Sequence, residues 1–373
     1  MGILGAGIGG LTLAGLLLRT VPAGVNVTVY EQTKAFARVG TGIQIGPNAV
    51  CVLRELGLEA ALEANAFAPR HWRNRAYDTG IIENELELGE PARARYGAPY
   101  LLLHRASLHD ALRSRVPAEH IRLDHQLTRA TREATGVALE FANGIHASVD
   151  VLIGADGLNS LVRQTFFQAA QPRYTGRVAY RAVFPASRLG TKTLDDNAKW
   201  WGPDRHIVIY YLNPSRSEIY FTTSVPDPHW LDESWSAQGK LDDLRKAFDA
   251  FHPDVRQVLG ACPQVHKWAI ADRDPMARWT DGPVALIGDA CHPMTPYMAQ
   301  GAAQAMEDAV VLTRALREVD FHAIETAWQL YHGTRHERAS TIQELSHQNQ
   351  WMHKKTDSQW LYGYDARTAP LIA

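Results

Sequence analysis

The chain has 373 residues, 46% of them hydrophobic and 21% charged, and a formal net charge of −2. That is enough length for a large core, and the charge gives neither nucleic acid nor an anionic membrane a reason to bind. Cys51, Cys262 and Cys291 form no C-x-x-C pair, which excludes a disulfide framework and suits a reducing, cytoplasmic compartment. No apolar run has the length of a membrane span. The 16 histidines follow no H-E-x-x-H or similar ligand spacing, so no metal site is expected.

The first 20 residues, "MGILGAGIGGLTLAGLLLRT", read as a short strand, a glycine turn and a helix. Only Met1 to Leu4 precede Gly5, so the first strand reads as clipped, as though a residue or more were missing ahead of it. "VNVTVYEQ" (25–32) alternates and is rich in β-branched residues, which predicts a second strand and closes a βαβ unit. "GPNAVCVLRELGLEAALEA" predicts a pair of amphipathic helices, and "YLLLHRASLHDALRSRV" a strand followed by a helix. "VDVLIGADG" and "PVALIGDA" have the continuous apolar character of strands buried in a parallel sheet. Between them lie aromatic-rich strands, "RVAYRAVFP" (177–185), "HIVIYYL" (206–212) and "EIYFTTSV" (218–225), which predict an antiparallel sheet inserted in an α/β fold. Helical periodicity returns from Gly301 to about Lys354.

Three turns carry chemistry. Gly5, Gly7 and Gly10 form G-x-G-x-x-G between strand and helix, a spacing that allows a tight turn and close approach of a pyrophosphate. Glu31 ends the next strand, where an acid can take the ribose hydroxyls of an adenosine. "GADGLNS" places Asp156, and "GDA" places Asp289, at the carboxyl ends of buried strands, where ligands sit in open α/β sheets; each is also a common helix cap.

Together, "GAGIGG", "GADGLNSLVR" and "GDACHPMTP" resemble the three signatures of the FAD-dependent aromatic hydroxylases, the class A flavoprotein monooxygenases, from about Gly2 to at least Asn349. The resemblance implies a Rossmann-like FAD-binding domain of the GR2 type, formed by 1–70, 101–170 and 269–373. It implies a substrate-binding domain with an antiparallel sheet at 71–100 and 171–268. By position, Glu31 is to bind the adenosine ribose, Arg105 the phosphates or adenosine, and Arg38 the flavin. Asp156 is to lie near the pyrophosphate and Asp289 to hold the ribityl chain. The loop from Pro293 would pass beside the flavin ring, with Gly301 and Ala302 offering helix N-terminal N–H groups to the edge that becomes negative on reduction. The second dinucleotide fingerprint and the cysteine pair of a disulfide reductase are missing, so NADH or NADPH is expected as a transient co-substrate beside O2.

"GTGIQIGPNAV", "KWWGPDRHIVIYY" and "GDACHPMTPYMAQGA" are similar to the branch of the family that replaces a carboxylate on hydroxynicotinate by hydroxyl. That resemblance implies an electron-rich aromatic acid such as 6-hydroxynicotinate or a para-hydroxybenzoate, attacked by a flavin C4a-hydroperoxide. Such a site needs a base near the ring's donor group and a dry pocket. Residues 206 and 210 share one face of a predicted strand by parity, so His206 is expected as base and Tyr210 as the residue that orients the donor. Gln44, Asn197 and Tyr297 are expected to line the pocket, and they depart from the His, Cys and His of the nicotinate pattern. Ortho-hydroxylation without loss of carbon, a flavin halogenase or reductase, and a non-catalytic FAD-binding protein are the competing readings. The oligomeric state is open between monomer and homodimer.

Overall fold

The computed structural model describes residues 1–20, 24–36, 40–168, 171–229, 238–319, 323–351, 353 and 356–373. Arg38 lies outside them.

A six-stranded sheet runs in the order Thr280–Asp281, Val284–Leu286, Leu152–Gly154, Gly2–Leu4, Thr28–Tyr30, Ile121–Arg122. Its inner pairs are parallel, and only the edge pair formed by Thr280–Asp281 is antiparallel. The three central strands are buried along their whole length, which is why they read as unbroken apolar runs. The second strand is three residues long, shorter than the alternation over 25–32 predicts, because its partner Gly2–Leu4 offers only three rungs.

The helix Ile8–Thr20 packs against the helix Gly301–Glu318. Small residues bring them together: a Cβ on Gly9 would lie 3.2 Å from the Ala305 Cβ, and one on Gly288 2.9 Å from the same atom. The longest helix, Ile324–Gln348, packs on Gly301–Glu318 in turn. Among the described residues no helix is long and apolar enough to cross a membrane.

The aromatic-rich strands belong to an eight-stranded sheet in the order Gln238–Gly239, Val265–Asp272, Arg173–Pro185, Glu218–Pro226, His206–Tyr211, Asn197–Trp201, His71–Ala76, Ile82–Glu87. All its pairs are antiparallel except Asn197–Trp201 with His71–Ala76, which is parallel. Every residue of His206–Tyr211 is buried, so this strand is covered on both faces. Ile207 and Ile209 share an apolar cluster with Leu244, Phe248, Phe251 and Val255, from the helices Leu241–Ala247 and Pro253–Ala261 and the turn joining them. The other face, which carries His206 and Tyr210, is covered by the strand Gly42–Ile45, itself paired with Leu101–His104. A separate three-stranded antiparallel sheet, Leu127–Glu133, Gly136–Phe141 and His146–Val149, was not anticipated.

Gly42 is where the covering strand meets the sheet: a Cβ there would lie 2.7 Å from the Tyr220 ring and 2.8 Å from the Tyr210 hydroxyl. Gly42→Ala is therefore expected to push strand and sheet apart and cost about 1–3 kcal/mol. Denaturant unfolding of wild type and variant checks this, and an unchanged midpoint would contradict the contact.

Candidate active site

The glycine turn lies at the carboxyl end of Gly2–Leu4. Gly5 has φ +101°, and a Cβ on Gly10 would sit 2.0 Å from the Gly5 carbonyl oxygen, so both positions demand glycine. Gly7 is different: it is exposed, and a Cβ would meet nothing within 4 Å. Backbone there faces open space. Glu31 accepts from the Ala6 N–H at 2.8 Å and the Thr33 N–H at 2.9 Å, which fixes its carboxylate against the glycine turn. Each oxygen keeps a lone pair for a ligand hydroxyl. Arg105, exposed, opens the helix Arg105–Arg113.

The neighbouring strand ends supply the two acids. Asp156 accepts from the Val162 N–H at 3.2 Å through one oxygen, and its other oxygen is buried without a partner. Burial pushes its carboxyl above the usual range, against hydrogen bonds from the following turn. Asp289 is exposed toward the crevice but walled by protein elsewhere; that environment raises its carboxyl, while His292 and Arg105 oppose the rise. Gly301 comes to the same place, since a Cβ on it would lie 3.8 Å from an Asp289 carboxylate oxygen. The first helical bond runs from the Gln304 N–H to the Gln300 carbonyl at 2.8 Å, which leaves the N–H groups of Gly301 and Ala302 without intrahelical acceptors. Ala299, just before, is held in the left-handed region at φ +54°, a local strain of roughly 1–2 kcal/mol that turns the loop into the helix.

Behind the crevice lies a charged network that motif reading missed. Asp308 accepts from the Gly288 N–H at 2.9 Å, His292 at 2.6 Å and Arg335 at 2.9 Å. Glu307 accepts from Arg335 at 2.6 Å, Arg338 at 2.8 Å and the Asn48 amide at 2.7 Å, and Asn48 also donates to Gln300 at 3.0 Å. Burial works against the charges of Asp308, Glu307, His292 and Arg335. Even so, Asp308 and Cys291 hold the His292 imidazole well above its ordinary range, and His292 and Arg335 pull Asp308 down to about 2. Cys291, His292 and Asp308 bring their ligand atoms within 4.8 Å, but both oxygens of Asp308 are occupied by cations, so the cluster ties the loop down and offers a metal no free carboxylate. The adjacent acids in "AMEDA" and the basic run "TRHER" were the available signal.

The second half of the site is the covered face of the large sheet. Cross-strand register places Asn197, Lys199 and Trp201, His206 and Tyr210, Tyr220 and Ser224, and Arg177 and Arg181 on that face. They divide into two groups. At one end the Tyr297 hydroxyl hydrogen-bonds Ser224 at 2.9 Å, and the His206 and Tyr297 rings meet edge to face, 5.3 Å apart. At the other end Gln44 accepts from the Tyr100 hydroxyl at 2.7 Å and from the Asn197 amide at 3.4 Å, beside Tyr210. The remaining Asn197 amide oxygen is buried without a partner. His206 and Tyr210 are four residues apart on an extended strand, about 13 Å of backbone, so a single substituent cannot touch both.

Burial, reinforced by Lys199 and Arg177, holds the His206 imidazole well below its ordinary range, and burial with the nearby Tyr220 holds the Tyr210 hydroxyl well above its own. The first is a neutral ring able to accept a proton, the second a hydroxyl that stays protonated. The structure therefore brings His206 and Tyr297 together, and separately Tyr210, Gln44 and Asn197. Lys199, Arg181 and Ser224 were missed; the parity of "NAKWW" beside His206 could have found the lysine.

The profile of the FAD binding domain family matches residues 1–346. The chain is 40% identical to 6-hydroxynicotinate 3-monooxygenase of Bordetella bronchiseptica over 372 residues, 99% of this chain and 96% of that protein. It is 39% identical to 3-amino-4-hydroxybenzoate 2-monooxygenase PtmB3 of Streptomyces platensis over 319 residues, 85% and 79% of the two chains. A salicylate hydroxylase solved in complex with its substrate superposes with a TM-score of 0.83 at 26% identity, covering 100% of this chain and 98% of that one.

Breaking the buried network is expected to be severe. Arg335→Met strands Glu307 and Asp308 and should cost about 3–5 kcal/mol of stability, read from denaturant unfolding. The Asp308 carboxyl is lowered on folding, so its contribution is present above its ordinary value and lost as pH falls through about 2. Wild type should lose stability toward acid over that window more steeply than Asp308→Asn, and parallel acid profiles would argue against the charge pairing.

Proposed function

The chain belongs to the FAD-binding family of aromatic-ring monooxygenases, and on that premise we propose that it hydroxylates an aromatic acid bearing a ring hydroxyl or amino group, with hydroxyl taking the place of the carboxylate. The observation that carries this reading is the two-ended row of buried polar side chains on one face of the large sheet. One end holds a neutral imidazole, and the other holds hydroxyl and amide groups about 13 Å of strand away. A single ring with para substituents spans such a row.

The crevice fits FAD by its own geometry. Backbone at Gly7 faces open space, one Asp156 oxygen lacks a partner, and Gly301 and Ala302 present N–H groups beside Asp289. In this reading the glycine turn and Glu31 hold the adenosine half, Arg105 the phosphates or adenosine with Asp156 near the pyrophosphate, and Asp289 with Gly301 and Ala302 the ribityl and flavin half. Segments 1–70, 101–170 and 269–373 would form this binding unit, and 71–100 with 171–268 the substrate unit. Bound FAD supplies the electrophilic oxygen, drawing on O2 and a transiently bound NADH or NADPH.

The protein's own residues then act on the ring. His206 accepts the proton of the ring hydroxyl, which sends electron density toward the para carbon. Ser224 and Tyr297 fix the imidazole end. Tyr210, Gln44 and Asn197 meet the carboxylate end with neutral donors; the Tyr210 hydroxyl, which stays protonated, donates a hydrogen bond. Deep burial of the whole row excludes water, so the oxygen is delivered to carbon. With Gln44, Asn197 and Tyr297 lining the pocket, 6-hydroxynicotinate and 4-hydroxybenzoate are the two rings to compare.

Product mass tests the reading. Enzyme with NADH or NADPH, air and each acid in turn should yield a product in which hydroxyl has replaced the carboxylate, with carbon dioxide released. A product that gains oxygen and keeps its carboxylate would mean ortho-hydroxylation instead. His206→Ala should lower substrate-dependent turnover by about 10²–10⁴-fold while FAD stays bound. Because the imidazole is depressed on folding, the acid limb of kcat/KM should lie below the ordinary histidine value of about 6.5. A limb at or above that value would remove His206 as the base.

A further inference from the structure

One basic group beside His206 has no role in that reaction. Lys199 is 1% exposed, and among the described residues no carboxylate lies within ion-pair distance of its amine. It is held instead by ring faces and an amide. Its Nζ sits 3.7 Å over the Trp201 ring and 5.9 Å from the centre of the Tyr297 ring, and it donates to the Asn349 side-chain oxygen at 3.4 Å. The Asn349 amide nitrogen reaches His206 Nδ1 at 3.5 Å, so one side chain holds lysine and histidine in register. Trp201 and His206 are direct cross-strand partners, and Lys199 lies two residues before Trp201 on the same face.

A lysine buried without an anion is costly, because burial disfavours the charged form and nothing nearby repays it. Burial drives this amine well below its ordinary range. The other cations of this face are already engaged. Arg177 donates to Ser224 at 2.7 Å and to the Asp204 carbonyl at 2.6 Å, and Arg181 lies 3.9 Å over the Trp268 ring and donates to Thr222 at 3.1 Å. Among the described residues of this face, Lys199 is the basic group left to take a proton and meet an anion arriving at the His206 end.

We propose that Lys199 is a further catalytic residue that touches the substrate, its ammonium facing the deprotonated ring oxygen and holding it as an oxyanion. This rests on the reading that places the ring hydroxyl at His206. The proton balance is complete within the site. The ring O–H bond breaks and its electron pair stays on oxygen. The proton passes by way of His206 to the Lys199 amine, and the resulting ammonium pairs with the phenolate. Nothing is oxidised or reduced in this step. The enzyme would thereby select rings that carry an ionisable hydroxyl, and raise the electron density of the ring before oxygen arrives.

The probe is 4-hydroxy-3-nitrobenzoate, a phenol whose ionisation is visible by absorbance, titrated with pH on the FAD-loaded enzyme. Other ionisable groups face Lys199: His206 and Tyr297 directly, Arg177 beyond His206, Asp272 and His347 beyond Tyr297, and His353 against Trp201. Comparing wild type with Lys199→Met over the same pH range subtracts them. Bound to wild type, the phenol should ionise about one to two pH units lower than free in solution, the size of one charge-assisted contact. Lys199→Met should abolish that shift and Lys199→Arg should keep its sign. Overturning results are a wild-type complex in which the phenol ionises at or above its free value, which needs no variant, or a shift that survives in Lys199→Met. A wild-type enzyme that binds none of this probe, 4-hydroxybenzoate and 6-hydroxynicotinate would bring down the aromatic-acid reading itself, and so is distinguishable from failure of the lysine's role.

Discussion

One fully buried carboxylate holds the crevice together. Asp308 ties the end of a central strand through the Gly288 N–H, the loop through His292 and the long helix Ile324–Gln348 through Arg335. These are the three elements that set where Asp289, Gly301 and Ala302 sit. Adjacent Glu307 extends the constraint to Asn48 and, through it, to Gln300 at the head of the helix. Two acids thus oppose three cations, His292, Arg335 and Arg338, of which Arg338 reaches toward solvent and the others are fully buried. Such clusters add little net stability over an apolar core, but they penalise any arrangement that separates their members. Here that penalty falls on misplacing the loop, which fits a site whose geometry matters more than its stability.

The same logic separates what was legible in the sequence from what was not. Gly5 and Gly10 are readable because sterics leave no alternative at those positions, whatever surrounds them. The parallel sheet and the inserted antiparallel one are readable because burial on both faces and aromatic alternation leave different marks. The Asp308 network escaped because Arg335 is 27 residues from its partner, and nothing local marks a charged residue on a helix as buried. Lys199 escaped for a related reason: lysine in a strand reads as a solvent-facing position, and only the covering strand at Gly42 and the loop at Tyr297 seal that face. The sheet at Leu127–Val149 was missed because most of its first strand is exposed and carries no apolar run.

His206 and Tyr210 show how far parity reaches. It places both side chains on one face, as the sheet has them, but it says nothing of what each meets. Their distance along the strand, set by the rise of extended backbone, assigns them to opposite ends of the pocket. In the proposed reading that separation divides the labour of the site.

In the proposed reading the same division bears on specificity. The His206 end is electrostatic: a lysine without a carboxylate, a neutral imidazole, and Arg177 close behind. The Tyr210 end is neutral, built from a hydroxyl and two amides, with one Asn197 oxygen lacking a partner. A buried polar atom left unpaired costs about 1–3 kcal/mol, so this end favours a ligand that completes it and disfavours one that does not. Charge at one end can govern the ionisation of the ring, while hydrogen-bond matching at the other governs which ring enters. In the proposed reading, residues of the first kind would act on any substrate of the reaction class, whereas Gln44 and Asn197 would bear on which ring enters. Those are two of the three positions at which this chain departs from the nicotinate pattern; the third, Tyr297, stands against His206, so the departures reach both ends of the row.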